Sequence, residues 1–318
     1  MYAGLVQNLT MFSHIKTSPD YLYVSPDMWR QLLPPHRPVF TNLRNLVFSL
    51  SWKYQEEDAI PLHCLLGPNL ESLCLHFNCG DLPFEDQLHD AESGASVAAM
   101  SVTDLLAHLP QMSPRLRELQ LFLGPSTYAH GPLAQTLQGL QSLTEFRIIS
   151  STPLSPHGVM VLSSLPCLVT ALLDIRAADF PPHSMTERPG DSVNFPALRK
   201  LRLLVDTAEC AATLLSWSVI DPPGLVELIV RVEVETNITP LQFASITATL
   251  PAKRCRITLE TIVLHGASKF KCDHPSLVAY PPSAMAPLYS LSALRTVHLL
   301  GDCYASLDDD ALADMARA

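Results

Sequence analysis

The chain has 318 residues, of which 47% are hydrophobic, and this is ample material for an extended apolar core. Against 21 basic side chains stand 31 acidic ones, and the formal charge of -10 works against general electrostatic attraction to nucleic acid or an anionic membrane. No run of roughly 18 apolar residues suggests a membrane span, and Met1 to Met11 lacks the basic region and small-residue cleavage site of a secretory signal.

Along the chain the same short phrase returns: Leu-x-x-Leu-x-Leu or a close apolar variant. A weak copy begins at Val6, and nine stronger ones begin at Leu43, Leu70, Leu116, Leu143, Leu168, Leu198, Leu225, Leu259 and Leu294. Their starts lie 25 to 46 residues apart, the spacing of stacked strand-plus-helix units rather than of a compact enzyme fold. In each copy apolar and variable residues alternate, as in Leu119-Gln120-Leu121 and Leu201-Arg202-Leu203, which predicts a half-buried strand.

Between the strands the spacing turns helical. Val102, Leu105, Leu106 and Leu109 form one apolar stripe that Pro110 is expected to stop. The same device recurs from Val159 to Leu165 before Pro166, and from Phe243 to Leu250 before Pro251. Three inserts exceed simple connections and are either mobile or functional: acidic Cys79 to Ser96, turn-rich Ala177 to Phe195, and proline-rich His265 to Pro287. The last is apolar enough to pack on the sheet edge. Near the end Ser306 predicts a helix cap, with Asp308 to Asp310 in the first turn, where carboxylates favour the exposed amides.

A strand and helix of this kind cannot bury their own apolar face, so each unit needs its neighbour. The expected fold is therefore α/β: an irregular leucine-rich-repeat solenoid over residues 1–318, with a curved parallel sheet backed by helices. The ninth place of each copy departs from the usual Asn or Cys. It holds Ser51, Asn78, Gly124, Ser151, Arg176, Asp206, Glu233, Ala267 and Asp302, and only Asn78 fits, so a regular polar ladder is not expected.

The Leu-Arg repeats at Leu43, Leu116, Leu198 and Leu294, the Leu-Pro helix ends, the run Ser25-Pro26-Asp27-Met28-Trp29-Arg30-Gln31-Leu32-Leu33 and the closing Leu307 to Leu312 resemble the long repeat region of basidiomycete F-box proteins. The resemblance covers nearly the whole chain. It implies a fungal substrate-recognition region of a ubiquitin-ligase adaptor, in which an F-box docks on a small cullin-ligase adaptor and the repeats hold the protein to be marked. No F-box is found before the first repeats, so the cullin link is implied only if one lies upstream. The chain reads as the repeat part of a longer product without a C-terminal cap, and open repeat ends would favour self-association.

If the leucines face the helices, the third, fifth and seventh places of each copy face the concave side. The partner-binding candidates there are Phe122, Arg147, Asp174, Lys200, Arg202, Arg231, His265 and His298. Arginine beside an aromatic anchor is the chemistry of a protein-binding hot spot. Such charges equally read as cross-strand pairs that keep a sheet soluble.

Signals of catalysis are weak. Cys74, His76 and Cys79 could ligate a metal, but no second pair stands at zinc-site spacing, so no metal is expected. Cys272-Asp273-His274 is a turn before Pro275. Ser13-His14-Ile15-Lys16 matches Ser-x-x-Lys without its companion motif, and neither Gly94 to Ala98 nor Gly266 to Ser268 makes a nucleophile elbow. Twelve glycines supply no phosphate loop, and no cofactor is expected. Asn8 and Asn237 head glycosylation-type triplets, read as accidental because no secretory signal accompanies them. Eight irregularly spaced cysteines suit reduced thiols in the cytoplasm or nucleus. The leading expectation is a non-catalytic scaffold for a protein ligand. The alternatives are a repeat interaction protein unrelated to ubiquitin and, from another class, an enzyme with a site built from the long loops.

Overall fold

A computed structural model describes residues 5–12, 40–50, 65–77, 105–123, 130–150, 154–180, 194–233, 238–266, 278–300 and 303–305. The chain divides into two compact units, Met1–Thr152 and Pro153–Ala318. In the first unit β1 (Asn8–Phe12), β2 (Asn45–Leu50), β3 (Ser72–Phe77), β4 (Glu118–Leu123) and β5 (Glu145–Ser150) pair in chain order, all parallel. In the second, β6 (Thr170–Ile175), β7 (Lys200–Val205), β8 (Glu227–Val232) and β9 (Thr261–His265) do the same. There β10 (Val278–Tyr280) pairs with β12 (Cys303–Ala305) in a small separate sheet, and β11 (Thr296–Leu300) joins β9.

Each strand from β2 to β9, and β11, begins on the third place of a leucine copy, and β1 does so for the weak copy at Val6. The backbone shows why. In six of the copies the leucine at the first place closes a turn by donating its amide three residues back, as Leu70 does to Gly67 and Leu198 to Phe195, and Leu259 donates four back to Cys255. The carbonyl at the second place then accepts two amides from the next copy. Arg117 O takes those of Thr144 and Glu145, Arg199 O those of Val226 and Glu227, and Glu260 O those of Arg295 and Thr296. This fork holds each strand at the same level as its neighbour, so alternation becomes layering.

The fourth and sixth places are buried in rows. Leu46, Leu73, Leu119 and Phe146 line up in the first unit, as do Leu201, Leu228 and Ile262 in the second. Each such side chain contributes about 1.5–3 kcal/mol when it leaves water. On β11, Val297 and Leu299 are only half-buried.

Helices close the apolar side. In the first unit, residues 105–112 (α1) and His130–Gly139 (α2) are helical. Pro110 does not end α1, contrary to the expectation from sequence. Proline lacks the amide that would bond the Leu106 carbonyl, and the buried Thr136 hydroxyl from α2 donates to that carbonyl at 2.9 Å. At the end of α2 a Cβ on Gly139 would come within 2.5 Å of Pro110 Cβ, so only glycine allows this approach.

In the second unit, α3 (Pro156–Ser163), α4 (Ala208–Ser216) and α5 (Pro240–Thr247) are capped by Ser155, Thr207 and Thr239, the last in a capping box with Gln242. Proline occupies N1 of α3 and α5, where its missing amide costs nothing. Both helices end before Pro166 and Pro251, the residues expected to limit them. The insert from Ala177 opens with a 3-10 turn, Ala177–Asp179, and returns to the core at Phe195. Phe195 is fully buried at a φ of 52°, a strained conformation for a bulky residue, and its amide is held by Ser163 O at 2.7 Å.

The described part of the His265 to Pro287 insert meets both layers: the Gly266 amide bonds Leu300 O of β11, and Tyr280 packs on the helix layer. Tyr280 is buried edge-on against Phe243 of α5, with its hydroxyl donating to Ile238 O, and α6 (Pro282–Met285) follows. The ninth place also carries more structure than expected. The Asp206 carboxylate accepts the Ala177 amide at 3.0 Å and the Thr207 amide at 2.8 Å, which is the cross-turn role an Asn would play. The Cys79 to Ser96 insert and the Ser306 to Met315 segment lie outside the described residues.

Candidate functional site

With the fourth and sixth places of β2 to β9 buried, the third, fifth and seventh places share the opposite side of each unit's sheet. In the first unit the third-place row runs Asn8, Asn45, Ser72, Glu118, Glu145. Asn45 donates its amide to the Asn8 side chain, and the Ser72 hydroxyl donates to Glu118 at 3.0 Å. Arg147, on the fifth-place row, turns its Nε to Glu145 at 2.6 Å and keeps about a third of its side chain exposed. The expected cross-strand network is therefore partly an intrastrand pair.

Phe122 sits on the seventh-place row beside His76, and the two rings stack face to face with centroids 4.2 Å apart. Both are half-buried. Burial holds the His76 imidazole below its ordinary pKa, because the charged ring would lose solvation. Its Nε2 lies 3.2 Å from Cys74 Sγ, and Cys74 lies 3.9 Å from Gln120 Oε1. Among the described residues no three metal-ligating groups converge, and Cys79 lies outside them. The stacked pair is absent from the expectations drawn from sequence. Its signal is nevertheless there, since both residues take the seventh place of adjacent copies.

In the second unit Lys200 and Glu227, Cα partners on β7 and β8, form an ion pair at 3.2 Å. Arg202, Ile229, Val263 and His298 follow on the fifth-place row, and Leu204, Arg231, His265 and Leu300 on the seventh. Lys200, Arg231 and His298 are exposed. Arg202 and His265 are half-buried, and Arg202 Nε and His265 Nδ1 are each shut off from solvent with no hydrogen-bond partner.

Asp174 corrects the expectation of an exposed contact. It is only 2% exposed and pairs at 3.3 Å with Arg176, which also reaches Glu233 at 3.0 Å. Arg176 thus ties the ends of β6 and β8 together, and Asp174 belongs to that brace. Periodicity places the side chain on the correct face but cannot show what covers it.

The buried thiols are chemically quiet. Burial, reinforced by the Asp206 charge, pushes Cys210 up to about 12, and burial beside Asp221 pushes Cys255 up to about 11. Lys253 is held below its ordinary value by burial while its Nζ donates to Trp217 O at 2.9 Å. Of the catalytic motifs in the sequence, Ser13 to Lys16, Gly94 to Ala98 and Cys272 to His274 lie outside the described residues. No described helix is long and apolar enough to cross a membrane.

No protein-family profile matches the chain, and no curated protein matches it. Among solved structures it is similar to the leucine-rich repeat-containing protein LegL7 from Legionella pneumophila. The TM-score is 0.44 with 12% identity, over 98% of this chain and 97% of that one.

Proposed function

We propose that residues 1–318 form one repeat scaffold, without catalytic activity, that holds another protein against the odd-place side of its strands. The observation that carries this reading is the asymmetry of the sheet. From β2 to β9 the fourth and sixth places are buried, whereas on the other side Ile149 stays exposed beside half-buried Phe122 in the first unit, and Lys200, Arg231 and His298 stay exposed among half-buried Leu204 and Ile229 in the second. A broad face of arginines and apolar side chains has the composition of a protein interface. The test is a quantitative pull-down with the natural chain and with an Arg147→Ala, Arg202→Ala, Arg231→Ala replacement. A discrete set of proteins lost with the replacement supports the reading, and an unchanged set refutes it.

The finer proposal is that the scaffold is the substrate-recognition region of an F-box ubiquitin-ligase adaptor. It rests on the Leu-Arg repeats and the Ser25 to Leu33 run. An F-box encoded upstream, with the full gene product co-purifying with a cullin-ligase adaptor, would bear it out. Failure of the full product to bind such an adaptor would leave a scaffold unconnected with ubiquitin.

A further inference from the structure

On the odd-place side of the second unit three basic groups stand close together: Arg202 on β7, Arg231 on β8 and His265 on β9, the last two being Cα partners. Their acidic neighbours are engaged elsewhere. Glu227 pairs with Lys200, Asp174 and Glu233 pair with Arg176, and Asp206 accepts the amides of Ala177 and Thr207. No ion pair to Arg202, Arg231 or His265 is formed among the described residues.

Arg202 Nε and His265 Nδ1 are both buried and without a partner. With Nε closed off, half-buried Arg202 presents its two Nη groups, the end of the guanidinium that can grip a carboxylate with two parallel hydrogen bonds. Between these groups lie Leu204, Ile229 and Val263, all half-buried, which form an apolar floor. A charge pair formed on such a floor is screened less than one in open water.

We propose that Arg202, Arg231 and His265 anchor carboxylate side chains on an acidic segment of the protein partner. This inference rests on the scaffold reading and names the partner's chemistry. Two strand spacings separate β7 from β9, roughly 10 Å, which an extended segment brackets with carboxylates two or four residues apart on one face, roughly 7 and 13 Å, within the reach of long arginine side chains. Against the chain's own charge of -10, such a basic patch is a local reversal of sign that favours an acidic segment.

The test uses the full chain and a fluorescent peptide alternating Glu and Ser, with a Gln-Ser peptide as control, read by anisotropy at low salt. The Glu peptide should bind about tenfold or more tightly than the Gln peptide, and Arg231→Gln and Arg202→Gln should each weaken it about tenfold. Exposed Arg231 keeps the test informative even if Arg202→Gln unfolds the unit, and Arg256→Gln, away from this face, should leave binding unchanged. Equal binding of the two peptides, absence of Glu-peptide binding, or indifference to Arg231→Gln would overturn the proposal. So would complete competition by inorganic phosphate with no preference for carboxylate. If these outcomes occur while the pull-down still loses proteins on triple replacement, the acidic anchor fails and the scaffold reading stands.

Discussion

Replacing Thr136 by valine removes one hydroxyl at nearly constant volume, and its cost should depend on a residue 26 positions earlier in the chain. Pro110 leaves the Leu106 carbonyl without its helical donor, and the Thr136 hydroxyl at 2.9 Å replaces that donor in a buried setting. A buried acceptor stripped of its partner costs about 1–3 kcal/mol, so Thr136→Val should destabilise the protein by that amount. In a Pro110→Ala background the residue-110 amide can bond Leu106 itself, and the same Thr136→Val change should then cost less than about 1 kcal/mol. Urea unfolding of the four proteins, followed by circular dichroism, measures the coupling, expected at about 1 kcal/mol or more. An equal cost of Thr136→Val in both backgrounds would refute the account of how α1 continues through proline.

The His76 imidazole should titrate below 6.5 by NMR. Above 6.5 both states are neutral at this site; as pH falls below it the unfolded chain takes up the proton first, so native stability declines until the lowered folded pKa is reached. His76→Gln should flatten that slope, and an unchanged slope would remove His76 as its source. In the native protein iodoacetamide should label exposed Cys167 while Cys210 and Cys255 stay unmodified until unfolding, read by peptide mass spectrometry; early labelling of Cys210 would contradict its burial. Asp174→Asn should cost about 1–3 kcal/mol because it breaks a buried charged contact, whereas Glu227→Gln at the exposed Lys200 pair should cost under about 1 kcal/mol. Equal losses in thermal melts would mean that Asp174 is not part of the Arg176 brace.

The strand positions are legible because leucine recurs at fixed places with fixed physical roles. At the first place it closes the turn, and at the fourth and sixth it fills the buried layer. Leu116 and Leu143 show the first of these roles, each buried with its amide bonded three residues back. The helix starts are written just as locally, in Ser155-Pro156, Thr207 and Thr239-Pro240, but as caps rather than as apolar spacing. What stays hidden depends on distant partners. Pro110 reads as a stop until Thr136 supplies its missing donor, and Asp206 reads as a departure from the repeat until the Ala177 amide meets it. Asp174 falls on the right face, yet its exposure is decided by Arg176 and its surroundings. The candidate site is legible as a set of odd places, whereas the stacking of His76 on Phe122 and the orphaned nitrogens of Arg202 and His265 emerge only in three dimensions.

The register itself offers the most direct test. In uniformly labelled protein, backbone NOEs should connect Leu201 with Leu228 and Leu228 with Ile262 in the parallel pattern, and likewise Leu73 with Leu119 and Leu119 with Phe146. Connectivities of antiparallel type, or helical contacts within these segments, would contradict the stacked parallel strands on which the binding face depends.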